Sequence, residues 1–168
     1  MKCKVCKKKS ESECCSVECA LKYIEIKKQL EWNERKKKLS ESLESRADLL
    51  DKLQKDFNTF VRFRDLGKEC ISCNTILKDI RDYHAGHFYD TKCEMLRFDE
   101  YNVHGQCIQC NKHFHGNLIK YRIKIADRIG DYNLAYLDNQ SENKLKFSIL
   151  EIKTMHEEIK KRLKIIKK

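Results

Sequence analysis

Two Cys-x-x-Cys pairs, "CISC" at 70–73 and "CIQC" at 107–110, are separated by 33 residues that include His84, His87 and His104. Four thiolates at such spacing satisfy a tetrahedral zinc ion, and one knuckle at a turn with one opening a helix makes a treble-clef-like site. Cys70, Cys73, Cys107 and Cys110 are therefore assigned to structural zinc, which leaves the imidazoles and the carboxamides Asn102 and Asn111 surplus to the scaffold. A neutral imidazole near pH 7 can take a proton from water. Imidazole and amide donors can also gather a divalent ion. The stretch "YHAGHFYD" at 83–90 thus poses a choice between help with the structural metal and a second, hydrolytic site. An isolated histidine is more often a hydrogen-bonded bystander, and His104 and His113 are read that way.

A second cysteine group lies at the N-terminus, where "CKVC" and "CSVEC" carry Cys3, Cys6, Cys14, Cys15 and Cys19. Cys3, Cys6, Cys15 and Cys19 are expected to hold a second structural zinc, with Cys14 an alternative to Cys15. Cys93 has no partner in this scheme and reads as a buried apolar residue.

Composition sets the frame for these sites. The chain has 168 residues, 37% charged and 40% hydrophobic, with no Pro and 5 Gly, which favours long helices around a small core. No apolar run approaches the roughly 20 residues of a membrane span, and "MKCKVCKKKS" does not lead into a signal peptide. A reducing cytoplasm is the expected compartment, where paired Cys-x-x-Cys means zinc rather than disulfides. Cysteine redox catalysis fits poorly, because no βαβ pattern accompanies the pairs. The net charge of +10 points to a polyanionic partner, most simply nucleic acid.

The elements that must position the chemistry follow from patterning. Residues 20–56 lack Gly and Pro and read as one long helix, about 55 Å at 1.5 Å per residue. A four–three seam runs Leu39, Leu43, Arg46, Leu50, Leu53, Phe57, Phe60, and another runs Leu145, Ile149, Ile152, His156, Ile159, Leu163, Ile166. The two seams could pack on each other, pair with a second copy of the chain, or cover the middle region. The segments are accordingly 1–20, a four-cysteine finger; 21–57, a basic coiled-coil-like helix; 58–137, the chemical core; and 138–168, a C-terminal helix. Acids and bases nearly balance in 58–137, at 10 and 12, so the basic excess lies on the arms. After the second knuckle, Leu118, Tyr121, Ile125 and Ile129 mark a helix whose polar face would offer Lys120, Lys124 and Arg128 to DNA.

Taken together, "FVRFRDLGKECISC", "YHAGHF" and "LRFDEYNVHGQCIQCNKHFHGNLIKYRIKIADRIG" resemble the phage lambda NinG family, also called Rap recombinase. The likeness is close over residues 57–137 and looser toward "CSVEC". The family is described as a structure-specific endonuclease acting on branched DNA, Holliday junctions included, and similar to HNH nucleases. The resemblance implies an α+β, helix-rich protein with an HNH-like ββα-metal core, an N-terminal four-cysteine finger and long flanking helices. It implies His87 as general base, Asn102 as the residue orienting that imidazole, and Asn111 as a helix-borne ligand of a catalytic Mg²⁺ or Mn²⁺. His84 stands where the family carries Asp, which shifts preference from Mg²⁺ toward softer ions. It is the first choice for the strand ligand, with Asp90 second. His115, four residues beyond Asn111, is an extra candidate, and Arg97 could clamp a phosphate.

On this reading the partner is branched DNA in a bacterial host cell, no membrane is involved, and a homodimer through residues 39–60 or 145–166 would space two cuts. A non-catalytic zinc-finger DNA-binding protein and a sequence-specific HNH enzyme are the competing readings.

Overall fold

A computed structural model describes residues 1–42 and 44–167. The chain forms two compact units, Met1–Ser45 and Arg46–Lys168. Among the described residues no helix is long and apolar enough to cross a membrane.

The first unit begins as a tight hairpin around Cys3 and Cys6. Cys3 N donates to Lys8 O at 2.8 Å, and Ser10 N donates to Met1 O at 2.9 Å. Lys7 takes a left-handed φ of +63° to close the turn. Helix α1 (Val17–Ser42) starts inside the Cys15–Cys19 pair. Its apolar residues Leu21, Ile24, Leu30 and Trp32 are exposed, in keeping with its lack of an apolar face.

The expected single helix over 20–56 does not form. Helix α1 ends at Ser42, Glu44 and Ser45 are not helical, and α2 (Arg46–Arg64) starts afresh. The sequence carries a reason: Ser45 followed by Asp48, three residues on and just before an apolar run, is a helix-start signature. Strong helix formers on both sides obscure it. Residues 46–57 therefore belong with the core rather than with a connecting arm.

In the second unit the two seams meet. Leu50, Leu53, Phe57 and Phe60 of α2 are buried with Ile152, Ile159 and Leu163 of α6 (Ile149–Ile166). Each seam's polar interruption finds a partner within the chain. Arg46 Nε donates to Phe147 O at 3.0 Å and its guanidinium pairs with Glu94, while His156 Nε2 lies 2.8 Å from Asp56 Oδ2. The middle of the two seams expected to pair within 39–60 and 145–166 is thus packed intramolecularly, while Leu145, Ile149 and Ile166 stay exposed. Leu39 instead sits exposed on α1, and Leu43 lies outside the described residues. Ser148 opens α6 with a capping box, its Oγ accepting from Glu151 N while the Glu151 carboxylate accepts from Ser148 N.

Strands β1 (Tyr83–His87) and β2 (Val103–Cys107) form an antiparallel two-stranded sheet that pairs His84 with Gln106 and His87 with Val103. Between them lies the short helix α3 (Glu94–Arg97). The first knuckle joins the sheet when Ile71 N donates to Gly105 O at 3.1 Å. After β2 come a π-helical turn (Gln109–His113), α4 (Leu118–Ile129) and α5 (Asp131–Gln140). Tyr121 and Ile125 of α4 are buried with Ile71, Leu96, Leu134 and Leu137 in a second core.

One buried carboxylate ties α2 to the sheet. Asp65, 1% exposed, accepts from Gly105 N at 2.7 Å, Arg64 Nη2 at 2.8 Å and Lys68 Nζ at 3.0 Å. Its pKa is pulled well below the ordinary carboxylate range; burial opposes this, but the Arg64 ion pair and the Gly105 amide outweigh it. Position 105 has to be glycine, since a Cβ there would lie 3.0 Å from Asp65 Cβ and 2.6 Å from Leu77 Cδ1. Removing the carboxylate would strand the buried Gly105 N–H and take from the largely buried Arg64 guanidinium its nearest charge partner, leaving it the Glu100 and Val103 carbonyls and the more distant Glu100 carboxylate. Asp65→Ala is expected to cost about 3–5 kcal/mol in denaturant unfolding of the zinc-loaded chain. A loss under ~1 kcal/mol would show that the network does not anchor the sheet.

Candidate functional site

Two four-thiol groups form as expected. Cys3, Cys6, Cys15 and Cys19 converge, as do Cys70, Cys73, Cys107 and Cys110, with every Sγ in each group within 4.8 Å of the others. A zinc ion with bonds of about 2.3 Å places its sulfurs ~3.8 Å apart. Cys73–Cys107 and Cys15–Cys19, each 3.7 Å apart, fit that spacing. Both groups could hold zinc. Cys15 rather than Cys14 completes the first. At the second, the backbone N–H groups of Ser72 and Cys107 point at Cys70 Sγ at 3.4 and 3.3 Å, as a thiolate would favour. Among the described residues no third group of three or more His, Cys, Asp or Glu assembles.

The surplus histidines are handled separately. His84 Nδ1 accepts from Asn111 Nδ2 at 2.8 Å, joining strand β1 to the π-helical turn. As it stands Asn111 Nδ2 is a hydrogen-bond donor and not a metal ligand; with the amide turned, Oδ1 and His84 Nδ1 would stand about 3 Å apart, the spacing of two adjacent corners of an octahedral ion with bonds of about 2.1 Å. The turn makes the approach possible, because its wider loop brings Asn111 round toward β1; single π turns of this kind occur often at functional sites. Above the pair lies a polar cleft of about 520 Å³ whose other wall is α2, through Lys55, Asn58, Thr59 and Arg62.

His87 does not line that cleft. Alternation along β1 puts it on the strand face opposite His84. Its Nε2 lies 3.0 Å from the Arg97 carbonyl oxygen, which can only accept, so Nε2 carries the proton and Nδ1 is the basic nitrogen of the neutral ring. Burial pushes its pKa below the ordinary histidine value, so the ring is neutral at pH 7. Arg97 in turn donates Nε to Gln54 Oε1 at 2.7 Å, and Gln54 Nε2 reaches Asn58 Oδ1 at 2.7 Å. A hydrogen-bonded line therefore runs from the segment that holds His87 to the wall of the cleft.

Several expected roles shift. Asn102 is fully buried, and its carboxamide accepts from Tyr89 N at 2.8 Å and donates to Tyr89 O and Leu96 O at 2.9 Å each. It shapes the loop after β1, and the Arg97 carbonyl holds the imidazole in its place. His115 follows the π turn in a left-handed conformation, φ +47°, and is exposed, so it is not stacked one helical turn above Asn111. Asp90 caps Lys92 N at 2.8 Å and lines a larger, apolar concavity of about 1110 Å³ formed with Phe88, Leu118 and Ile123, away from the His84–Asn111 cleft. Lys124 Nζ is committed to Asn74 Oδ1 at 2.6 Å and Glu69 Oε2 at 3.2 Å, and Arg128 to Glu69 O at 3.0 Å. These two brace the first knuckle instead of presenting a basic face, whereas Lys120 stays exposed. His104 is a bystander, its Nε2 donating to Tyr101 O and its Nδ1 accepting from Arg64 Nη2, and burial lowers its pKa to about 4.

The whole chain, residues 1–168, matches the family model described as Bacteriophage Lambda NinG protein. This chain belongs to the NinG family. It is 35% identical over 124 residues to "Protein ninG" of Escherichia phage lambda, covering 73% of this chain and 59% of that protein. It is 41% identical over 90 residues to "Protein ninG" of Salmonella phage P22, covering 53% of this chain and 43% of the other. The chain spans about three fifths of the length of the lambda relative that it matches. No solved structure matches it.

For a NinG protein, the α2 wall was the part that motif reading passed over. Lys55, Asn58, Thr59 and Arg62 recur at i, i+3, i+4 and i+7, a polar stripe beside the apolar seam of the same helix. That periodic signal was present but looked like an ordinary solvated face. The zinc assignment generates a direct test. Purified protein should carry two zinc ions per chain, and Cys107→Ser should retain one and unfold the Arg46–Lys168 unit. Cooperative near-native melting of the Cys107→Ser variant would remove zinc as the scaffold of β2 and the π turn.

Proposed function

We propose that this NinG chain is a metal-dependent endonuclease that hydrolyses phosphodiester bonds in branched DNA, including Holliday junctions, during phage recombination. The observation that carries the reading is the His84–Asn111 contact of 2.8 Å beneath a cleft walled by Lys55 and Arg62. The strand–strand–helical-turn order, with a separate zinc knuckle at its base, supports an HNH-like ββα-metal core. The donor pair is neutral and mixed nitrogen and oxygen, which suits Mn²⁺ better than Mg²⁺.

When bound there, a divalent ion would polarise the scissile phosphate and stabilise charge on the leaving oxygen. The chain's own residues do the rest. His87, the expected general base, is held as the neutral tautomer with Nδ1 the basic nitrogen. It lies on the strand face opposite His84 and outside the cleft, so the reading requires the attacking water to reach it around the edge of β1. Lys55 and Arg62 attract and orient the phosphodiester at the cleft, a contact that weakens as salt rises. Arg97 keeps its side chain on Gln54, so its part is to position His87 through its carbonyl rather than to clamp a phosphate. Two copies acting on opposed strands of one junction remain the proposed assembly, through surfaces other than the filled α2–α6 seam.

A basic zinc-finger protein without catalysis is the alternative, favoured by the lack of a third acidic or histidine cluster among the described residues. A labelled four-way junction incubated with Mn²⁺ separates the two. Wild type should cut it, and His87→Ala should lower the rate by roughly 10²–10⁴-fold with junction binding unchanged. Because burial lowers the His87 pKa, the acid limb of the rate profile should fall below pH 6.5, the ordinary imidazole value. Full cleavage by His87→Ala would sink the mechanism.

A further inference from the structure

Gln106 is a fully buried residue on β2 whose side-chain oxygen has no partner. Its orientation is fixed by what surrounds the other end of the amide. Nε2 lies 2.6 Å from the Gly116 carbonyl and 2.6 Å from Ser72 Oγ. The Gly116 carbonyl can only accept, so the nitrogen must face it and the oxygen must face the other way. A buried amide oxygen left unmatched is costly, of the order of 1–3 kcal/mol, and such groups are rare without a water or an ion.

That oxygen points at β1. Gly86 has no side chain, and a Cβ built there would come within 2.4 Å of Gln106 Oε1. The space that a residue 86 side chain would occupy, next to His87 in sequence, is therefore filled from the opposite strand. The register pairs Gln106 directly with His84, so both project from the same face of the sheet. Gly86 lies on that face too, two residues along from His84. Asn111, already 2.8 Å from the His84 ring, completes the group. The His84 imidazole and the Gln106 carboxamide therefore project from one face of the sheet, and Asn111, whose Nδ2 meets the His84 ring, joins them from the π turn.

We propose that Gln106 Oε1 is a third ligand of a divalent cation held by His84 and Asn111, the donor that Gly86 makes room for. The proposal rests on the metal-site reading above and extends it to a residue with no carboxylate, imidazole or thiol to advertise it. In such a site Asn111 turns its amide so that Oδ1 faces the ion, and the two Gln106 contacts to Ser72 and Gly116 hold Oε1 in place.

The experiment is Mn²⁺ binding by electron paramagnetic resonance to the zinc-loaded full chain, with zinc content and circular dichroism as controls for folding. Wild type is expected to take up one Mn²⁺ per chain. Gln106→Met, which keeps length but removes the oxygen, should weaken binding by about 10–100-fold at unchanged zinc content. His84→Ala should remove it. Wild-type affinity in Gln106→Met, with loss in His84→Ala, would overturn the role of Gln106 and leave the His84–Asn111 pair standing. No Mn²⁺ bound by wild type would overturn both. Should Gln106→Met fail to fold, wild-type crystals soaked in Mn²⁺ decide the matter by anomalous scattering. A Mn²⁺ peak about 2.2 Å from Gln106 Oε1 supports the ligand, whereas a peak beyond hydrogen-bond distance, or water alone on Oε1, overturns it.

Discussion

Convergence of four thiolates from residues 70, 73, 107 and 110 is the constraint on which the second unit rests. Cys107 directly follows Gln106, and Cys110 directly precedes Asn111. Whatever holds those two sulfurs fixes the backbone at the end of β2 and at the start of the π turn. A sheet of two five-residue strands is marginal alone in water, so it needs such an external anchor. Metal binding supplies folding free energy that a small core does not. Coordination of a zinc ion there would serve position as well as stability, since it would fix the backbone on which the flanking polar side chains sit.

The α2–α6 pair performs the complementary task from the other side. Its apolar seam is closed by Leu53, Phe57, Ile152 and Ile159, and that closure turns the polar stripe of α2 toward β1. The stripe and the seam are one amphipathic pattern, so packing energy on one face aims Lys55, Asn58 and Arg62 with the other. Asp65, at the end of the same helix, then ties it to Gly105 of β2. The cleft is thus bounded by α2 on one side and by β1 with the π turn on the other, with α2 tied to the sheet through a buried carboxylate.

Much of this was legible in the residues, for identifiable reasons. Cysteine spacing is a short-range code with a metal's geometry behind it, and both thiol groups assemble as that code predicts. The seam periodicity foresaw which faces of α2 and α6 are apolar, but periodicity cannot say whether the matching face belongs to the same chain. The helix break at residues 44–45 was hidden because a serine start signal competes with strong helix formers on each side. Asn102 and Arg97 make contacts other than those expected of them, because side-chain types alone suggest side-chain contacts. Here a backbone carbonyl orients His87 and backbone groups occupy Asn102. Gln106 was invisible to a search for ionisable ligands, since its interest arises only from a neighbour, Gly86, that lacks a side chain.

A donor set without a carboxylate has a consequence for how such a site would work. Carboxylates neutralise a divalent cation before substrate arrives, and they raise affinity by doing so. Imidazole and amide ligands leave both positive charges uncompensated, beside the cations Lys55 and Arg62 that already line the cleft. Under the proposed function an ion there would be held loosely by the protein alone and more tightly once a phosphodiester brought its negative charge. Binding of ion and DNA would then be mutually reinforcing, because each would raise the other's affinity by the same factor. A proposed nuclease built this way has its charge complementarity completed by the scissile phosphate itself, which places the strongest electrostatic attraction where bond cleavage would occur.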